Sequence, residues 1–100
     1  MLEKDIEKAL RLKLKAVDKR ILCLKFESPG FTGVPDRIIL LPNEKIIFAE
    51  LKQRGKKERV RQEYVQGLIR DLGFEVQSSV DSIERVNDII KECEMILRNG

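Results

Sequence analysis

Residues 38–41 and 46–49, Ile-Ile-Leu-Leu and Ile-Ile-Phe-Ala, are two apolar runs separated by Pro42-Asn43-Glu44-Lys45, and few folds accommodate that pattern. Isoleucine and phenylalanine favour extended backbone, whereas Pro and Asn favour a turn. The two runs are therefore expected to fold back on each other as antiparallel strands. Side chains alternate between the two faces of a strand, so this register decides which polar residues meet. It sets Asp36-Arg37, at the start of the first strand, beside Glu50-Leu51-Lys52 at the end of the second. Glu50 and Lys52 then share one face, and Leu51 points into the other.

Around this pair the pattern changes period. Leu2, Ile6, Ala9, Leu10 and Val17 recur at helical spacing, which predicts an amphipathic helix over 2–18. Ile21 to Phe26 reads as a strand that enters Ser28-Pro29-Gly30-Phe31-Thr32-Gly33-Val34-Pro35, a Gly- and Pro-rich loop. Val60, Tyr64, Val65, Leu68, Ile69 and Leu72 mark a helix stopped by Gly73. Phe74 to Gln77 makes a short strand, and Asp81, with Glu84 three residues on, caps a last helix that carries Ile83, Val86, Ile89, Ile90, Cys93, Ile96 and Leu97. The order is α-β-β-β-α-β-α. It implies one α/β (α+β) domain over residues 1–100, a mixed four-stranded sheet flanked by helices with the last helix added at the C-terminal end.

Composition narrows the chemistry. The chain of 100 residues contains no histidine, which excludes Ser-His-Asp and Cys-His nucleophiles and every zinc site that needs an imidazole. Proton transfer must use Asp, Glu, Lys, Tyr or a metal-bound water. The two cysteines, Cys23 and Cys93, read as reduced, mostly buried thiols. No apolar run approaches the roughly 20 residues of a membrane span, and the opening MLEKDIEK lacks a signal-peptide core, so an intracellular, cytoplasmic protein without a membrane partner is expected. The net charge of +3 conceals an uneven distribution. Lys52, Arg54, Lys56, Lys57, Arg59 and Arg61 face a single acid, Glu58, within residues 51–61, while residues 62–100 are acidic on balance. Such a stretch is either a solvated loop and helix start or a patch that tracks a phosphate backbone.

Two carboxylates and a lysine that converge at a strand end make a hard-oxygen site suited to Mg²⁺ or Mn²⁺. An ion held there would acidify a water and offset charge in phosphodiester hydrolysis, with Lys52 orienting the attacking group or stabilising the developing charge. The alternative is an exposed Glu–Lys pair on an edge strand and an Asp that only caps a loop.

The residues also carry a resemblance. Asp36, thirteen intervening residues and Glu50-Leu51-Lys52 resemble the PD-(D/E)XK nuclease signature, with Pro35 as its first letter. Lys25-Phe26, Ser28-Pro29-Gly30, Gly33-Val34-Pro35-Asp36-Arg37, Glu50-Leu51-Lys52 and Gln62 together resemble the VRR-Nuc (virus-type replication-repair nuclease) family of that superfamily, over about residues 25–84. The resemblance implies the restriction-endonuclease-like αβββαβ core. It also implies a Mg²⁺-dependent DNA endonuclease of the kind found alone in phages and bacteria, and as the C-terminal catalytic domain of the Fanconi-associated nuclease of eukaryotes.

Carried over by position, Asp36 and Glu50 become metal ligands, with the Leu51 carbonyl as a third, Lys52 the catalytic lysine and Gln62 a helix glutamine facing the site. Glu7 matches the first-helix acid of related junction-resolving nucleases or else lies on a solvated helix face. Lys25 and Ser28 are candidates for phosphate contact, and Ser28 equally suits a Pro-Gly turn. Arg37 is read as a phosphate ligand or a structural salt bridge, and Tyr64 as a core residue rather than a base-stacking platform. No segment resembles a base-reading module, so branched DNA, such as Holliday junctions or flaps met in replication and repair, is the expected substrate, and a homodimer would match its two-fold symmetry. The competing reading is a non-catalytic DNA-binding module that retains the fold.

Overall fold

A computed structural model describes residues 1–99 as α1 (Glu3–Val17), β1 (Leu22–Lys25), β2 (Arg37–Leu41), β3 (Lys45–Leu51), α2 (Val60–Asp71), β4 (Glu75–Val80) and α3 (Ile83–Asn99). β2 and β3 form the expected antiparallel hairpin, with Ile38 opposite Phe48 and Ile39 opposite Ile47. Its turn places Asn43 and Glu44 at φ 64°. Asn tolerates that left-handed backbone, so the strain of the turn falls mainly on Glu44.

The strands run in the order β1-β2-β3-β4, with β1 and β2 antiparallel to their neighbours and β4 parallel to β3. Parallel neighbours need a crossover, and α2 supplies it. One sheet face presents Ile39, Ile47, Ala49 and Leu51 to Ile6, Leu10 and Leu14 of α1 and to Val86, Ile89 and Cys93 of α3, all buried. Complete burial of an aliphatic side chain of this size contributes about 1.5–3 kcal/mol, so this layer is the main source of stability. On the opposite face Phe48 meets Phe26 and Phe74, each with ring centroids 5.7 Å apart. α2 covers part of that face and buries Val65 and Gln66.

Two boundaries differ from expectation. β4 extends to Val80, because the register shifts between Ala49 and Leu51: Ala49 pairs with Gln77 and Leu51 with Val80. One extra β4 residue is thereby accommodated opposite Glu50, and Ser79 takes a positive φ of 50°. A Ser-Ser pair carries no strand signal, so the extension was not legible. The longer strand also moves the start of α3. Ser82, not Asp81, caps it: its Oγ accepts the Arg85 N–H at 3.2 Å, and its carbonyl accepts the Val86 N–H. Glu84 then sits one residue short of the position that would close a capping box.

Cys23 and Cys93 are free thiols, and burial pushes their pKa values up to about 11 and about 12. No helix among the described residues is long and apolar enough to cross a membrane.

Candidate active site

The hairpin register, with Arg37 opposite Ala49, carries Asp36 to the position facing Glu50. The two residues are locked by reciprocal bonds between backbone and carboxylate. The Asp36 N–H donates to Glu50 Oε1 at 3.2 Å, and the Leu51 N–H donates to Asp36 Oδ1 at 3.1 Å. A bond from the Phe26 N–H to the Asp36 carbonyl, 2.8 Å, closes the neck of the Gly- and Pro-rich loop immediately before β2. Leu51, buried on the core face, fixes the strand from behind.

Lys52 and Gln62 complete the group. Lys52 Nζ lies 3.4 Å from Glu50 Oε2 and donates to Gln62 Oε1 at 2.9 Å. Gln62 Nε2 donates to Glu50 Oε2 at 3.1 Å. The same Gln62 Oε1 accepts the Arg59 backbone N–H at 2.9 Å, three residues back, which is the return half of a capping box at the start of α2. One amide therefore satisfies an orphan donor of the helix and holds both the lysine and the carboxylate of β3. Two donors on Oε1 and a carboxylate at Nε2 fix which way the amide points.

Burial dominates the electrostatics. Glu50 is only 3% exposed. Loss of hydration, reinforced by the negative charge of Asp36, raises its pKa to about 7, and Lys52 offsets only part of this. Burial also raises Asp36, against the lowering effect of the Leu51 N–H. One buried and one partly buried carboxylate against a single lysine leave negative charge that a divalent cation would neutralise. The donors are hard carboxylate oxygens, so the pair fits Mg²⁺ or Mn²⁺.

Asp36, Glu50, Lys52 and Gln62 are thus brought together, and other expected residues lie elsewhere. Glu7 does not join them: its carboxylate pairs with Arg11 at 3.3 Å, one turn along α1, and no third carboxylate among the described residues stands with Asp36 and Glu50. The α1 acid whose charge reaches Asp36 is Glu3. Lys25 pairs with Glu27 at 3.1 Å on the surface, and the Ser28 carbonyl accepts the Phe31 N–H in a turn. Arg37 donates to the Asp36 carbonyl at 2.9 Å rather than to a carboxylate. Arg54, Lys56, Lys57 and Arg59 are exposed on the segment between β3 and α2. Arg61 is tied down: its Nε donates to the Thr32 carbonyl at 3.0 Å. Tyr64 is exposed, because the buried positions of α2 are Val65 and Gln66, which corrects its reading as core.

Two residues named in the sequence gain a structural role that the sequence did not assign. Glu58 accepts the Ser79 N–H at 2.7 Å and so anchors the basic segment to the β4 irregularity; its signal was being the lone acid in a basic run. Gly33, at φ +93°, lies where a Cβ would stand 2.9 Å from Arg61 Cγ, so the loop before Asp36 is seated directly on α2.

No family model matches the chain. A protein named "Putative nuclease p44", from Acyrthosiphon pisum secondary endosymbiont phage 1, is 47% identical over 55 residues, which are 55% of this chain and 57% of that protein. The chain therefore matches little more than half the length of this relative. A solved structure described as "VRR_NUC domain" superposes with a TM-score of 0.78 over 91% of this chain and 97% of its own, at 24% identity. The mixed sheet, its crossover helix and the flanking helices are shared across nearly the whole of both chains, and the fold is that of the VRR-Nuc domain.

Proposed function

We propose that the chain is a divalent-cation-dependent endonuclease that hydrolyses DNA phosphodiester bonds at Asp36, Glu50 and Lys52. The observation that carries this reading is the Asp36–Glu50 pair, with Glu50 buried and Asp36 partly buried, and a lysine held against it by Gln62. A relative named as a nuclease and the VRR-Nuc fold support it.

Asp36 and Glu50, with the Leu51 carbonyl, would hold Mg²⁺ or Mn²⁺, which when bound supplies Lewis-acid activation of water and positive charge at the scissile phosphate. The Leu51 N–H orients Asp36, and the Asp36 N–H orients Glu50, so neither carboxylate needs to reorganise during reaction. Lys52 places an ammonium donor beside the pair, where it can position the attacking water or offset charge on the phosphorane. Gln62 keeps that ammonium from swinging out. Arg54, Lys56, Lys57 and Arg59 follow directly after the catalytic strand and supply charge along the phosphate backbone. With no base-reading element, DNA structure rather than sequence selects the substrate; branched repair intermediates and a homodimer that cuts opposed strands belong to this proposal.

The test is incubation with end-labelled branched and linear DNA, in Mg²⁺ or in EDTA. Cleavage in Mg²⁺ that disappears with EDTA, with Asp36→Ala and with Lys52→Ala is expected. Cleavage that survives either substitution refutes the mechanism. Salt-dependent binding without cleavage in any divalent ion would instead establish a non-catalytic module.

A further inference from the structure

The loop that leads into Asp36 and the helix that carries Gln62 each hold an aromatic ring that stays partly exposed. Phe31 is 44% exposed and Tyr64 56%. The Arg61 guanidinium lies over both, 4.7 Å from the Phe31 centroid and 5.5 Å from that of Tyr64. The bond from Arg61 Nε to the Thr32 carbonyl and the close seat of Gly33 on Arg61 and Val65 hold loop and helix together. The three groups thus form a surface fixed before any ligand arrives. It is covalently continuous with the site: Arg61 precedes Gln62, and Gly33 lies three residues before Asp36. Exposed Lys56, Lys57 and Arg59 lead into the same helix. Cationic side chains beside exposed aromatic faces are the combination that holds single-stranded nucleic acid, its backbone on charge and its bases on π faces. Inside a paired duplex the base faces are stacked on one another, and only the two terminal pairs present an open face.

We propose that Phe31, Arg61 and Tyr64 form a stacking platform for an unpaired base of a DNA strand that reaches the carboxylate site. The placement on a substrate strand rests on the nuclease reading, whereas the stacking itself can be read without catalysis. Tyr64 is the only tyrosine and the chain has no tryptophan, so tyrosine emission reports this one ring.

The experiment titrates the full chain in EDTA with a single-stranded oligothymidine, a flapped duplex and a blunt duplex, and follows tyrosine emission together with the anisotropy of labelled DNA. Quenching by the single strand and the flap, and much less by the blunt duplex, is expected. Tyr64→Leu and Phe31→Leu, each checked for native circular dichroism, should weaken single-strand affinity by about tenfold and leave blunt-duplex affinity within about twofold. Unchanged emission when anisotropy shows saturation, no single-strand binding, or equal losses on single strand and duplex would each overturn the platform. Failure of the nuclease reading would appear separately, as quenching with no cleavage once Mg²⁺ is added.

Discussion

Replacing Glu50 with Gln should stabilise the cation-free fold near neutral pH. The Glu50 carboxyl titrates at about 7 in the folded chain against 4.5 ordinarily, mainly because it is buried. Between those values the folded state keeps a proton that the unfolded state has released. Stability is therefore full below about pH 4.5 and is lost as pH rises through 7. A gap of about 2.5 in pKa corresponds to about 3–3.5 kcal/mol as an upper bound. Glu50→Gln removes this charge and keeps an oxygen for the Asp36 N–H, but its NH₂ would face Gln62 Nε2 and Lys52, two donors, at a cost of about 1–2 kcal/mol. The net expectation at pH 8 is a variant more stable than wild type by about 1–2 kcal/mol, with the advantage gone near pH 5. Urea unfolding in EDTA at several pH values measures it, and the difference between the two proteins cancels groups common to both. Parallel stability curves across pH 5–8, or a wild type that gains on the variant as pH rises, would refute the claim that burial strains this carboxylate.

Other expectations follow from individual contacts. Gln62→Leu removes the partner of the Arg59 N–H and the hold on Lys52 and Glu50; helix stability should fall by about 1 kcal/mol in thermal melts and cleavage by about 10–100-fold in single-turnover assays. Gly33→Ala puts a Cβ at 2.9–3.0 Å from Arg61 and Val65 at a positive φ, so unfolding should show a loss of about 1–3 kcal/mol, with reduced cleavage because Asp36 is displaced. Lys56→Gln with Lys57→Gln should lower the slope of log affinity against log salt by about 2 if each lysine neutralises one phosphate, and an unchanged slope would remove both from the interface.

Legibility in the sequence followed the range of the interactions. The β2–β3 register was readable because alternation and a short turn are local, and it alone brought Asp36 opposite Glu50. Leu51 was placed on the face opposite Glu50 for the same reason, and that face is the core. The β4 irregularity was not readable, since Ser78 and Ser79 have no strand preference and the extra residue is absorbed opposite Glu50. Glu7 stood as a first-helix acid by resemblance or as a solvated helix residue; Arg11 one turn away pairs with its carboxylate, and Glu3 is the α1 acid whose charge raises Asp36. Tyr64 matched a helical apolar stripe and still faces solvent, because the adjacent Val65 and Gln66 take the buried arc of α2. Arg61 counted as one more basic residue until its contacts with Thr32, Phe31 and Gly33 showed that it also joins the loop to the helix.

The most direct measurement on the site is the anomalous scattering of a crystal soaked in Mn²⁺. One strong peak is expected between the carboxylates of Asp36 and Glu50, within coordination distance of the Leu51 carbonyl, and it should be lost in Asp36→Ala. A soaked crystal with no peak there, in which Asp36 and Glu50 keep only the backbone and side-chain partners they have now, would contradict a metal site at this pair.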